Sequence, residues 1–268
     1  MSLRTRTPTA FVMLAITFVV VQFAPLWVFF LFVQLLIVAA LIEFYNLARR
    51  RKLLPQPAVG IVLALILGAS FYFPQFPLPL ALFVCIVLSS IYFLATFTTL
   101  EKLPFFPSSI AITFFGAVYV GFTLDFFYPL RAEWGPFYLY FLFAVIFLGD
   151  TGAYFVGKLM GRHKMTPIAS PNKTWEGSFG GILFACAGAL AAQQLLLRDL
   201  PIWKAILCGI LVHAVAQVSD PLESLFKRAV GVKDSSNILP GHGGFLDRID
   251  SLILATPVFF YLLKYLIY

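Results

Sequence analysis

Long apolar runs separated by short polar or proline-bearing links make up most of the chain. They cover 9–24, 26–48, 58–73, 79–99, 105–123, 136–157, 177–197, 203–219 and 251–267. A helix that crosses a bilayer needs about 20 mainly apolar residues, so each run is read as one spanning helix. The first two are parted only by Pro25 and are expected to form a tight hairpin, and the third is short. Arg4 and Arg6 precede the first run as they would in a secretory signal. The run continues past Ala24 into the second with no convincing cleavage site, so it is read as a retained span. The predicted fold is all-α and polytopic, with about nine transmembrane helices.

Composition agrees with the pattern. Hydrophobic residues make up 61% of the chain and charged residues 12%, against about 25% charged in an ordinary soluble domain. The net charge of +7 sits in a few loops. That placement suits anionic headgroups and phosphate ligands and argues against nucleic acid as a partner. If the N-terminus is inside, only Arg131, Arg198, Lys204 and Lys264 of the 19 Lys and Arg fall outside, as the positive-inside tendency requires. The expected topology is therefore N-in and C-out, with loops 158–176 and 220–250 on the cytoplasmic side. A polar cavity should open to that side, in the inner membrane if the protein is bacterial. Cys85, Cys186 and Cys208 lie singly in apolar runs, with no metal-like spacing, and are read as small apolar residues. Polarity rises near residue 136. This divides the chain into an apolar half, 1–135, and a half carrying the chemistry, 136–268.

Chemistry concentrates in 224–250. Lys227, Arg228, Lys233 and Arg248 supply positive charge there, and Asp234, Asp247 and Asp250 supply negative charge. Gly241, Gly243 and Gly244 allow a backbone to approach a ligand closely. The mixture suits a polyphosphate held with a divalent metal, carboxylates for the cation and Lys or Arg for phosphate oxygens. Asp247 and Asp250 are three apart and share a helix face, although carboxylates at a helix start are also favoured by the dipole alone. Asp150 lies inside the sixth run, where an acid is costly and is either functional or paired. Residues 157–181 offer Lys158, Arg162, Lys164 and Lys173 to phosphates, with hydroxyls at Ser170 and Thr174. Their alternative is a loop that only sets topology. Asp220-Pro221-Leu222-Glu223 reads as a capping box, so the eighth span is expected to break at Ser219 and restart over 221–230. His242 is a general base or a loop anchor. An attacking phosphate oxygen is already ionised at neutral pH and needs no base, which favours the loop role.

The pattern Ser-x-Phe-Lys-Arg-x4-Lys-Asp from Ser224, followed by Leu-Pro-x-His-Gly-Gly-Phe-x-Asp-Arg-Ile-Asp from Leu239, closely resembles the signature of the phosphatidate cytidylyltransferases, or CDP-diacylglycerol synthases. Ser170-Pro-Asn-Lys-Thr-Trp-Glu-Gly resembles a second motif of that family. The family more often has Lys where Asn172 stands. It usually has Gly before, and an apolar residue after, the acid at Asp220, where this chain has Ser219 and Pro221. The resemblance implies transfer of a cytidylyl group from CTP to phosphatidate, giving CDP-diacylglycerol and pyrophosphate. It implies a Mg²⁺ site, with room for a second cation, at Asp220, Asp247 and Asp250, joined by Asp150. Lys173, Lys227 and Arg228 would neutralise phosphates. Ser170, Thr174, Ser224, Lys233, His242, Gly243, Gly244 and Arg248 would contact substrate. Membrane lipid is an implied partner, and a homodimer is compatible. Two rivals are weaker. A CDP-alcohol phosphotransferase would carry a longer acid motif with Asp-Gly and Ala-Arg, which is not found. A transporter would be favoured by an inverted repeat of broken helices, and none is evident.

Overall fold

A computed structural model describes residues 3–236, 238 and 243–267, with the side chains of 3–7 and 9 left aside. Helices α1 (Leu3–Phe23), α2 (Leu26–Arg50), α3 (Pro57–Tyr72) and α4 (Leu78–Thr96) come first. Next are α5 (Phe106–Gly116), a π-helical turn at Ala117–Phe122, α6 (Thr123–Asp125) and α7 (Phe127–Trp134). The chain continues with α8 (Pro136–Met160), strands β1 (Lys164–Thr166) and β2 (Ser170–Thr174), α9 (Trp175–Leu196), α10 (Ile202–Ala229) and α11 (Leu246–Leu262). Among the described residues, seven helical segments are long and apolar enough to cross a bilayer: 26–50, 78–96, 103–134, 136–160, 175–196, 202–229 and 246–267. Ala10–Phe23 and Pro57–Tyr72 are apolar but shorter. The protein is an all-α, multi-pass membrane protein.

The chain forms two compact units. The first comprises 1–128 and 229–248, the second 129–228 and 249–268. Ile37, Leu41, Phe44, Tyr45, Leu63, Leu67 and Phe93 are buried in the first. Polar pairs interrupt that apolar interior. Gln34 Nε2 donates to Asp125 Oδ1 at 2.6 Å, and both side chains are buried. An unpaired acid at membrane depth costs about 2.5–3.5 kcal/mol on insertion scales, so the amide offsets part of what Asp125 would otherwise cost. The Tyr45 hydroxyl donates to Thr113 O at 2.7 Å and ties α2 to α5.

In the second unit α8 and α9 pack backbone to backbone. A Cβ at Gly188 would stand 2.7 Å from Ala144 O, so no larger residue fits there. Small residues that permit such approach drive helix pairing in lipid, where apolar side chains gain little from leaving the bilayer. Phe141 stacks on Phe259 at 5.5 Å between ring centroids, and joins α8 to α11.

Two features depart from the sequence-based expectation. The loop after α8 contains an antiparallel hairpin, with Lys164 opposite Thr174 and Thr166 opposite Ser170. And α10 does not break at Ser219: it runs unbroken through Pro221 to Ala229. Proline removes one backbone donor, which membrane helices tolerate where neighbours supply partners. The capping-box role of Asp220 is therefore not realised. Its oxygens are engaged by Lys173 and Ser224 instead.

Candidate active site

Because α10 is continuous, Asp220, Glu223, Ser224 and Lys227 fall at i, i+3, i+4 and i+7, on one face. Ser224 Oγ donates to Asp220 Oδ1 at 3.3 Å. Lys227 Nζ pairs with Glu223 Oε2 one turn back, and both side chains are buried. The hairpin brings in Lys173 from β2, whose Nζ lies 2.8 Å from Asp220 Oδ2. Arg228, at the end of α10, donates from Nε to Ala169 O at 3.4 Å, which ties the helix to the hairpin turn.

Two further acids of the second unit join this group. Ser251 Oγ donates to Asp150 Oδ2 on α8 at 3.2 Å and lies 3.5 Å from Asp250 Oδ1. The Ser251 N–H reaches the same Asp250 oxygen at 2.7 Å. Ser219 Oγ donates to Asp250 O, and Leu254 N–H donates to Ser219 Oγ at 3.4 Å. Ser251 thus links Asp150 to Asp250, Lys173 pairs with Asp220, and Ser219 beside Asp220 reaches the Asp250 backbone, which draws together four residues singled out from sequence.

Thr174 takes a structural place. Its Oγ1 accepts from Gly177 N–H at 3.2 Å and caps α9. Ser170 opens β2. Glu176, which the sequence does not single out, binds the chain before the hairpin. Its Oε2 accepts from Arg162 N–H at 3.0 Å, and its Oε1 lies 2.6 Å from His163 Nδ1. Lys158 lies over the Tyr154 ring, 5.8 Å from its centroid.

The remaining predicted residues belong to the first unit. Asp247 Oδ2 accepts from Ser235 N–H at 2.9 Å, Ser235 Oγ at 3.0 Å and Gly244 N–H at 2.9 Å. Gly243 adopts φ +79°, a left-handed conformation that favours glycine. Lys233 and Arg248 are exposed. His242 lies outside the described residues. A cavity of about 550 Å³ in this unit is lined by Arg49, Leu54, Pro55, Gln56, Tyr92, Thr96, Phe97 and Lys102, none of them a predicted site residue.

Glu43 of α2 escaped the sequence reading. It is buried, and its two oxygens accept four hydrogen bonds from residues 235–246. The one available signal was an acid within an otherwise apolar run, the same signal that marked Asp150.

The family model for the cytidylyltransferase family matches residues 4–266, nearly the whole chain. The chain belongs to the cytidylyltransferase family. Among its relatives in that family is a phosphatidate cytidylyltransferase of Staphylococcus haemolyticus, 37% identical over 233 residues, which cover 85% of this chain and 86% of that protein. One from Staphylococcus epidermidis is 44% identical over 163 residues, covering 61% of this chain and 62% of the relative. One from Staphylococcus aureus is 40% identical over 163 residues, covering 61% and 62%. The match to the S. epidermidis and S. aureus cytidylyltransferases thus spans less than two thirds of their length.

Proposed function

We propose that the protein transfers a cytidylyl group from CTP to phosphatidate, forming CDP-diacylglycerol and releasing pyrophosphate. The observation that carries this reading is the group of Asp150, Asp220 and Asp250 on apolar helices with Lys173 on β2, in a chain whose named relatives are phosphatidate cytidylyltransferases. A phosphatidate phosphate oxygen attacks the α-phosphorus of CTP in line, and pyrophosphate leaves. No covalent intermediate on the protein is required.

The donor chemistry suits a divalent cation. Among the described residues, Asp150 and Asp250 have hydroxyl and backbone donors in contact rather than an ion pair, and carboxylate oxygens are hard ligands suited to Mg²⁺. Among the described residues no three acidic, His or Cys side chains already converge as a metal site would have them. Asp150, Asp220 and Asp250 would hold the cation, and the family resemblance adds Asp247 to the set. When bound, the cation would neutralise phosphate oxygens and stabilise charge developing on the transferred group.

The chain's own cations do complementary work. Lys173, held by Asp220, presents an ammonium group to phosphate oxygens. Lys227, which pairs with Glu223, and Arg228 are the proposed further phosphate contacts at the end of α10. Ser170, Ser224, Lys233, Arg248 and the backbone of Gly243 and Gly244 are the proposed substrate contacts, with Thr174 holding the start of α9 beside them. Nine spans with the N-terminus inside would put segments 158–176 and 220–250 on the cytoplasmic side, where CTP is available, while phosphatidate enters from the bilayer.

The test is pyrophosphate release from CTP by the detergent-solubilised protein, with and without phosphatidate. Release that depends on phosphatidate, with CDP-diacylglycerol as the lipid product, is expected. Release without lipid, or none in its presence, would overturn the assignment.

A further inference from the structure

We propose that Glu43 is a positioning residue for the reaction, a carboxylate from α2 that fastens both ends of the segment carrying His-Gly-Gly. Its Oε1 accepts from Ser236 Oγ at 2.7 Å and from Phe245 N–H at 3.0 Å. Its Oε2 accepts from Ser235 Oγ at 2.8 Å and from Leu246 N–H at 2.9 Å. Each oxygen therefore joins one residue before the segment to one residue after it.

The need for such a group follows from local sequence. The first N–H groups of a helix have no partner within it. Gly243-Gly244-Phe245 provides no side chain to cap α11, and Glu43 takes that place from a distant helix. A carboxylate there is favoured by the helix dipole, and four donors offset the cost of its burial. The fit is close. A Cβ at Gly244 would stand 2.0 Å from Ser235 Oγ and 2.3 Å from Glu43 Oε2.

Ser235 extends the effect to Asp247. Its hydroxyl lies 2.8 Å from Glu43 Oε2 and 3.0 Å from Asp247 Oδ2. It has one proton to give, so the two carboxylates share a single donor. The position of Asp247 then depends on Glu43, a residue the signature does not contain.

The proposal rests on the cytidylyl-transfer reading for its effect on turnover, and the experiment separates the two. Hydrogen exchange of the amides of Phe245 and Leu246 is followed by mass spectrometry in the full-length detergent-solubilised protein, alongside CTP- and phosphatidate-dependent pyrophosphate release. Glu43→Gln replaces one acceptor oxygen by a donor. Exchange across 245–246 should rise at least tenfold, exchange in α8 and α9 should not change, and turnover should fall at least tenfold in a variant that elutes like the parent. Unchanged local exchange, or unchanged turnover in an active preparation, would overturn the proposal. Should Glu43→Gln not survive extraction, Ser236→Ala removes one donor and leaves the carboxylate in place. A local rise in exchange with reduced turnover then supports the role, and the absence of either overturns it. If the parent protein shows no transfer activity, the exchange result still decides whether Glu43 holds the segment, and only the functional reading falls.

Discussion

Replacing Asp247 by Asn separates a structural acid from one that acts on phosphate. An Asn side chain in the same rotamer puts its carbonyl oxygen where Oδ2 stands and keeps the donors Ser235 N–H, Ser235 Oγ and Gly244 N–H. Hydrogen bonds to a charged acceptor contribute about 1.5–3 kcal/mol and neutral ones about 0.5–1.5. Three bonds each weakened by about 1 kcal/mol set a ceiling of about 3 kcal/mol on the stability lost. The actual loss should be smaller, because Ser235 Oγ also serves Glu43. Asp247→Asn should therefore extract in detergent and elute like the parent. If the charge of Asp247 helps hold a cation on the reacting phosphates, turnover should fall about a hundredfold or more, equivalent to about 2.7 kcal/mol in the barrier. The assay is pyrophosphate release at saturating Mg²⁺, with size-exclusion elution and a thermal midpoint on the same preparation. A variant that elutes normally and turns over at near the parental rate would remove Asp247 from the cation site and leave it the loop contacts alone.

Lys173→Met removes the ammonium paired with Asp220 at 2.8 Å and should lower turnover at least tenfold with saturating CTP. Parental turnover in that variant would end the phosphate role of Lys173. Cysteines placed singly at Lys164 and Lys233, both exposed, should resist an impermeant thiol reagent in intact cells and react once the membrane is opened. Strong labelling of either from outside would reverse the topology. CTP and dCTP should support pyrophosphate release while ATP and GTP do not, and equal turnover with ATP would refute the base preference.

The helices were legible because a bilayer imposes one requirement on every span, a long apolar run, and each run became a helix near its expected place. The break at Ser219 was misread because Asp-Pro-x-Glu carries the local chemistry of a helix start. What overrides it is partly tertiary: Lys173 from the hairpin engages the acid that would have capped, and Ser224 bonds it within the same helix. The β1–β2 hairpin was hidden for another reason. Its strands are short and polar, with no periodicity to register. Lys173, Asp220 and Asp250 could be singled out as candidates because costly or concentrated charge stands out in an apolar chain. Glu43 stood out equally, but its partners lie so far along the chain that nothing near it in sequence discloses them.

That distance bears on how the protein is made. Gln34 meets Asp125 across 91 residues of chain, but Glu43 waits for Ser235 across 192. At about 5–20 residues per second of synthesis, Glu43 leaves the ribosome roughly 10–40 seconds before its serine partner exists. The first unit is thus begun early and closed late, with all of 129–228 translated in between. A ribosome that stalls before residue 235 releases a chain whose early helices are complete in length and lack every donor that Glu43 receives from 235–246. Membrane quality control would have a buried-acid position to recognise in such a product, and the finished chain conceals it.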